Sequence, residues 1–151
     1  MKTVKLYSVD ILLAILFSGI IYSQNIYVHY YIGKSRTNVE KTYGKPLHID
    51  TSTPQMVCMF YQDKTNRFIF VSDNKGVYQA EVYKSYTTKK QIEKDVKNLI
   101  SKSISNGFEA DTITTSDFEI RKRGVKADIQ ISENKITRKY DLKIKAVRTE
   151  N

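Results

Sequence analysis

A stripe of apolar residues between Thr88 and Gly107 is the feature that most restricts how this chain can fold. The apolar residues recur at intervals of four, three, one and four positions, which places them along one side of an α-helix. They are Ile92, Val96, Leu99, Ile100 and Ile104. Thr88 and Gln91 have the spacing of a capping box, and Gly107 can end the helix. A helix with one apolar side packs against another layer, so we expect Val96, Leu99 and Ile100 in the core.

Strand patterns lie on both sides of this helix. Before it, apolar or alternating runs at residues 55–62, 67–71 and 77–86 are separated by turn-like residues and predict an antiparallel meander. In the third run, Tyr78, Ala80 and Val82 are expected on one face and Glu81 on the other. After the helix, an extended or irregular stretch at 108–115 precedes three predicted strands at 118–123, 125–132 and 136–147. A turn is expected at residues 133–134.

A shorter helix is predicted between Ser35 and Gly44. Ser35 can cap it, Val39 and Tyr43 lie four positions apart, and Gly44 can stop it. A helix of about eight residues is not stable alone and must pack on something else. The expected fold class is therefore α+β, with two helices packed on antiparallel sheet in the order α-βββ-α-βββ. We expect residues 24–151 to form one small domain of this kind.

The first residues of the chain have the pattern of an export signal. Lys2 and Lys5 precede an apolar run over residues 11–21, and the small Ser23 follows it. This order predicts a cleaved signal peptide at residues 1–23 that leaves Gln24 as the new N-terminus. The protein is then periplasmic or secreted, with no membrane span once processed.

An uncleaved anchor is the alternative interpretation of the same segment. No charged residue occurs between Asp10 and Lys34, so residues 11–28 are long enough to hold the protein in the inner membrane. The dense apolar part, however, ends near Tyr22 and falls short of the roughly 20 apolar residues that cross a bilayer. We therefore favour the signal peptide.

The residues that usually carry catalysis or bind metals are scarce. Among 151 residues there are one Cys and two His, which excludes an internal disulfide and leaves little for a zinc site. His29 and His48 have no second ligand at a metal-binding spacing, and no nucleophile, metalloprotease or phosphate-loop motif occurs. We expect no cofactor, no metal and no catalytic residue. A small periplasmic enzyme with an unrecognised site is the alternative.

The last three predicted strands are strongly basic. From Ile120 to Arg148 there are ten Lys and Arg against three acidic residues, within a chain whose net charge is +9. The period-two alternation turns the apolar residues inward and four lysines outward together, and these form the candidate surface for an anionic partner. The four are Lys126, Lys139, Lys143 and Lys145. Such lysines also serve simply to keep a sheet from aggregating, and that alternative stays open.

The export signal narrows the choice of partner. Nucleic acid is not expected, because the protein leaves the cytoplasm and its aromatic residues do not interleave with the basic strands. Anionic lipid, envelope polysaccharide or an acidic protein remain. The sequence therefore favours an exported, non-catalytic binding or envelope-interaction protein.

One short segment resembles a known family. Residues 33–46 contain a polar cap, Val39, an aromatic residue, Gly44 and Pro46, followed by a meander. This order resembles the start of the SmpA/OmlA (BamE) outer-membrane assembly lipoproteins and of the β-lactamase inhibitor protein, which shares their fold. The resemblance implies tandem helix-plus-sheet units and a binding or assembly role. It implies no functional residue for this chain.

Overall fold

The computed structural model describes residues 25–150. The signal peptide predicted at residues 1–23, and the part of the alternative anchor before Asn25, lie outside the described residues. The helices are a short 3-10 helix at Val28–Tyr31, α1 at Arg36–Tyr43 and α2 at Lys89–Ser105. The strands are β1 (His48–Asp50), β2 (Val57–Gln62), β3 (Asn66–Asp73), β4 (Gly76–Tyr86), β5 (Glu109–Thr112), β6 (Asp117–Lys122), β7 (Val125–Asn134) and β8 (Lys139–Arg148).

All eight strands form one antiparallel sheet in the order β1-β2-β3-β4-β8-β7-β6-β5. The α+β class is confirmed, but the predicted order α-βββ-α-βββ is wrong, because each helix is followed by four strands. No sequence signal predicts β1, because its three residues are too few to show a period and all of them are exposed. β5 forms within the stretch that was expected to be extended or irregular. Backbone pairing with a neighbouring strand creates both of these edge strands.

The ends of α1 follow the local sequence. The Ser35 hydroxyl accepts a hydrogen bond from the backbone N–H of Asn38 at 3.4 Å, and Gly44 leaves the helix with a φ of 77°. A positive φ costs glycine little, which explains the stop at this position. Val39 is fully buried, so this short helix is held by packing on the sheet.

The long helix α2 buries most of its apolar stripe. The Thr88 hydroxyl accepts a hydrogen bond from the N–H of Gln91 at 3.3 Å. Val96 and Leu99 are core residues as predicted, and Ile100 packs against the core while half-buried. Ile104 is 52% exposed, because the buried side of the last turn passes through its neighbour Ser103, which is fully buried. Among residues 25–150, no helix combines the length and apolar character needed to cross a bilayer.

The helices all pack on one face of the sheet. That face carries the large buried side chains, among them Phe68, Phe70, Val82, Ile129 and Ile144. We call the opposite face the open face, because no helix of the described chain covers it. A sheet packed on one side and exposed to solvent on the other needs alternating strands, and the sequence supplies them.

A bulge between Val71 and Ser72 corrects one detail of this alternation. It shifts the pairing with β4, so that Ser72 lies opposite Val77. Val77 is therefore buried beside Ala80 on the helix side, whereas Tyr78, which was expected on the same face as Ala80 and Val82, is only half-buried. A bulge changes which residues face inward without leaving a mark on the hydrophobic pattern.

The last hairpin turns later than predicted. β7 continues to Asn134, and the turn occupies residues 135–138. The Asn134 side-chain oxygen accepts hydrogen bonds from the N–H groups of Ile136 and Thr137, both at 3.1 Å. Ile136, which was expected in the strand, is 95% exposed. An asparagine that bonds to the backbone two and three residues ahead favours a turn over a strand.

Candidate functional site

The four lysines of the predicted anionic-partner surface all lie on the open face. Lys126 is on β7, and Lys139, Lys143 and Lys145 are on β8. Their cross-strand partners in the β7–β8 pair are Val147, Asn134, Gln130 and Asp128, respectively. The register therefore places them on one surface, but their immediate surroundings differ.

Two of the four lysines are already neutralised by carboxylates. The Lys126 ammonium is 2.9 Å from a carboxylate oxygen of Glu119 and 3.4 Å from one of Asp128. The hydrogen bond to Glu119 raises the pKa of Lys126 and lowers the pKa of Glu119. Lys145 lies 3.8 Å from a carboxylate oxygen of Glu81. Because carboxylates of the protein balance their charge, these two lysines are poorly placed to attract an outside anion.

The same is true of the β5–β6 end of the open face. Arg121 contacts three carboxylates there, at 3.2 Å from Glu109, 2.9 Å from Asp111 and 3.4 Å from Glu119. These contacts are solvent-exposed and individually weak. Together, however, they cancel the positive charge on this part of the sheet. The net basic character of the last strands is therefore not a uniform patch.

The unneutralised cations lie in the middle of the sheet. Arg67, Tyr83 and Lys143 are direct cross-strand partners on β3, β4 and β8, and we call them the Tyr83 cluster. The Arg67 guanidinium carbon is 4.5 Å, and the Lys143 ammonium 5.6 Å, from the centre of the Tyr83 ring. Within residues 25–150, neither cation has a carboxylate within 4.0 Å. Cation–π contacts orient such groups but leave their charge available.

A buried carboxylate fixes the tyrosine of the cluster. Glu81 is only 9% exposed, although it lies on the open face. It accepts hydrogen bonds from the Tyr83 hydroxyl at 2.7 Å and from the Gln79 side-chain amide at 2.9 Å. Burial, together with the hydrogen bond to Glu81, raises the pKa of Tyr83. The ring therefore stays neutral and fixed between its two cations.

A cleft of about 720 Å³ lies at the end of the open face beside this cluster. Its floor is formed by two cross-strand rows, one containing the Tyr83 cluster with Gln130, and the next containing Ser85, Asp141 and Ser132. The β2–β3 turn, with Lys64, forms one side, and Ser116 and Asp117 form the other.

Each carboxylate of the cleft accepts at least one hydrogen bond from a neutral donor of the protein, and none forms an ion pair with Arg67, Lys143 or Lys64. Asp141 accepts a hydrogen bond from the Ser85 hydroxyl, and Asp63 accepts from Thr65 and Asn66. Asp117 accepts from the hydroxyls of Thr114 and Ser116, which lower its pKa. The carboxylates thus leave Arg67, Lys143 and Lys64 unpaired.

Lys139 lies at the opposite end of β8 from Arg148, next to the turn at 135–138. It is exposed, and no carboxylate of the described chain forms an ion pair with it. Lys139 is four residues from Lys143 along β8, and Asp141 lies between them on the same face. Of the four predicted lysines, Lys139 and Lys143 are therefore the two whose charge is free to act on a partner.

The sequence interpretation missed Arg67 as a partner of Lys143. The alternation of β3 does place Arg67 opposite the buried Phe68 face, and the alternation of β4 places Tyr83 on the same face as Glu81. The missing information was the register of two strand pairs: the β3–β4 register brings Arg67 to the Tyr83 ring, and the β4–β8 register brings Lys143 to it. No local pattern reports a pairing between strands this far apart in the chain.

The described residues contain one His–Ser pair, and it is not accessible. The Ser103 hydroxyl is 3.0 Å from Nε2 of His29, but both residues are at most 1% exposed. The same hydroxyl donates to the backbone oxygen of Leu99 at 2.8 Å. No group of three or more His, Cys, Asp or Glu side chains in residues 25–150 is placed to hold a metal ion.

No protein-family model matches this chain, and no curated protein matches it. Among solved structures it is similar to an extracellular protein containing an SCP domain from Bacillus anthracis, with 15% identity and a TM-score of 0.45. That match covers 79% of this chain and 44% of the other. It is also similar to a cysteine-rich secretory protein from Staphylococcus aureus, with 9% identity and a TM-score of 0.47. There it covers 80% of this chain and 45% of the other, so the chain spans less than half of either solved protein.

These matches correct the family resemblance drawn from residues 33–46. The resemblance to the SmpA/OmlA (BamE) lipoproteins is wrong, since the similar solved structures are SCP-domain and cysteine-rich secretory proteins. The residues that suggested it have local structural roles in this chain. Ser35 caps α1, Val39 buries one side of it, and Gly44 ends it. Any short helix that leads into a strand needs the same residues, so the motif does not identify a family.

Proposed function

We propose that this protein is an exported, non-catalytic binding protein that holds an anionic partner on the open face of its sheet. The observation that carries the proposal is the Tyr83 cluster, where Arg67 and Lys143 contact one ring and have no carboxylate of the described chain beside them. Cations held in place beside a cleft attract anions more strongly than scattered, mobile lysines do.

We propose a smaller binding surface than the one that the sequence suggested. Lys139 and Lys143 remain as binding residues and gain Arg67 and Lys64, which line or adjoin the same cleft. Lys126 and Lys145 become structural, because their charge is taken up by Glu119, Asp128 and Glu81. The partner is an anionic component of the cell envelope. Export itself is supported by the order of the basic, apolar and small residues within positions 1–23.

The test is retention of the purified protein on immobilised polyanion at low and at physiological salt, with neutral matrix as the control. We expect retention only on the polyanion, and a steep loss as the Debye length falls to about 8 Å. Lys139→Glu with Lys143→Glu should abolish retention. Lys139 is exposed and Lys143 is half-buried, so circular dichroism of the double variant checks that the fold persists.

Lys94→Glu with Lys97→Glu is the matched control. Both residues are exposed on α2, on the other side of the sheet, and the double variant has the same net charge as the test variant. Retention should survive in this control. If both double variants lose retention equally, net charge and not the open face binds the polymer. If the unmodified protein is not retained at low salt, the lysines serve only to keep the sheet surface from aggregating.

A further inference from the structure

We infer that the cleft beside the Tyr83 cluster binds a segment of acidic polysaccharide in which charged and uncharged sugar units alternate. One acidic group lies at Arg67 and the next charged unit lies at Lys143. The inference rests on the proposed function and adds the chemistry of the partner. It also distinguishes a polymer chain from an anionic membrane surface.

The shape of the site favours a chain over a membrane. The cleft encloses about 720 Å³ and its floor is formed by cross-strand rows within the sheet. A bilayer surface is broad and flat, whereas this cleft lies between the β2–β3 turn on one side and Ser116 and Asp117 on the other. A single extended polymer can enter the cleft and follow a row of side chains across the strands.

The lining of the cleft favours a sugar over a purely ionic polymer. Between and beside the cations lie neutral hydrogen-bonding groups, namely the Gln130 amide and the hydroxyls of Ser85 and Ser132. Asp141 accepts one hydrogen bond from Ser85, and a carboxylate has room for about four, so it can accept further donors. Sugar hydroxyls are such donors. A plain polyphosphate chain offers none.

The placement of charge favours alternation along the polymer. The Arg67 guanidinium carbon and the Lys143 ammonium lie 4.5 Å and 5.6 Å from the centre of the same Tyr83 ring, so the two charges are at most about 10 Å apart, twice the spacing of neighbouring strands. Two sugar units span a comparable length. The cleft also contains Asp63, Asp117 and Asp141. A polymer charged on every unit would place some of its acidic groups against these carboxylates, whereas an alternating polymer places hydroxyls there.

The experiment measures the Kd of the purified protein for oligosaccharides of equal length at one ionic strength. The probes are hyaluronan fragments, with a carboxylate on every second unit, polygalacturonate fragments, with one on every unit, and uncharged chitin fragments. Vesicles of phosphatidylglycerol in phosphatidylcholine form a separate arm. We expect hyaluronan fragments to bind about fivefold or more tightly than polygalacturonate, and chitin fragments not to bind.

Asp141→Asn tests the role of the cleft carboxylate. The amide keeps an acceptor for the Ser85 hydroxyl but removes the negative charge, so binding of polygalacturonate should strengthen and the preference for hyaluronan should narrow about threefold or more. Asp128→Asn is the matched control, because Asp128 is exposed on the same face but outside the cleft. That control should leave the ratio of the two Kd values unchanged.

Several outcomes would overturn the inference. Equal affinity for the two acidic oligosaccharides, or an equal change of the ratio in both variants, would mean that charge alone directs binding. Salt-sensitive binding to anionic vesicles without binding to either oligosaccharide would make the partner a membrane surface, and the proposed function would stand without this inference. Failure to bind any anionic probe at low salt would remove both.

Discussion

At the scale of single residues, His29 has the most consequential environment in the core. It is 1% exposed, its Nε2 lies 3.0 Å from the Ser103 hydroxyl, and the Phe108 ring meets it edge-on at 5.0 Å between ring centres. Its Nδ1 is buried with no hydrogen-bond partner in the described chain. Burial lowers the pKa of His29 from 6.5 to about 4. A histidine of this kind is neutral in the fold and costs stability when it must take up a proton.

This environment predicts an acid-sensitive fold. The folded pKa lies below the unfolded one, so the unfolded chain binds the proton first as pH falls. The stability that depends on neutral His29 is complete above about pH 6.5 and is lost progressively as pH falls toward 4. From the shift, we expect the free energy of unfolding to be about 2 kcal/mol lower at pH 5 than at pH 7.5 through this residue.

Urea denaturation at several pH values checks this expectation. His29→Gln removes the titrating group, so its stability should change less across the window than that of the unmodified protein. His48→Gln is the control, because His48 is exposed on the edge strand β1 and should leave the pH dependence as it was. If His29→Gln and His48→Gln show the same loss between pH 7.5 and 5, His29 does not control acid stability.

At the scale of elements, α2 buries some residues of its predicted apolar stripe and exposes another. Leu99 is fully buried, whereas Ile104, five residues later on the same predicted stripe, is 52% exposed. Leu99→Ala should lower the free energy of unfolding by about 2–5 kcal/mol, through lost burial and a cavity. Ile104→Ala should change it by about 0.5 kcal/mol or less.

Chemical denaturation of the two variants measures this difference directly. Similar values for Leu99→Ala and Ile104→Ala would show that the buried side of α2 is placed wrongly. Circular dichroism of each variant at low denaturant confirms that the comparison concerns folded protein.

The elements with strong local signals could be predicted from the sequence. The stripe of α2, the cap and stop of α1 and the alternation of β7 and β8 all report a local physical need, so their positions were close to those observed. β1 and the turn at residues 135–138 were missed, because the first depends on pairing with β2 and the second on the side chain of Asn134. Such features depend on contacts that periodicity does not measure.

At the scale of the whole molecule, the packed structure extends to the first described residues. Ile26 and Val28 are buried, and the backbone oxygen of Asn25 accepts a hydrogen bond from the Tyr43 hydroxyl at 2.6 Å. Cleavage after Ser23 would keep all of these contacts, whereas cleavage after Val28 would remove core residues. We therefore expect the exported protein to begin at Gln24.

N-terminal mass analysis of the exported protein decides this point. A first residue at or next to Gln24 agrees with removal of residues 1–23. Recovery of the chain with Met1 intact in a membrane fraction would instead favour the anchor over residues 11–28.

The candidate site depends on how strands that are far apart in the chain pair with one another. The basic face of β7 and β8 was visible in the sequence, but Arg67 and Lys143 meet at Tyr83 only through the β3–β4 and β4–β8 registers together. The same register gives Lys145 its carboxylate partner, Glu81. Alternation predicts which face a lysine occupies. It does not predict which residue lies beside it on the next strand, and that neighbour decides whether the lysine's charge is available.

The position of β8 in the centre of the sheet also affects how the chain reaches its fold. Each group of four strands is a local meander, but the two groups join only through β4 and β8, where residue 79 pairs with residue 147. Closing so long a loop costs chain entropy before any contact is gained, and sheets rich in such contacts fold slowly. The central seam cannot form until residues 139–148 have been synthesised. A chain built this way stays incompletely folded until nearly all of it is available, which is compatible with the proposed export of this polypeptide as an extended thread.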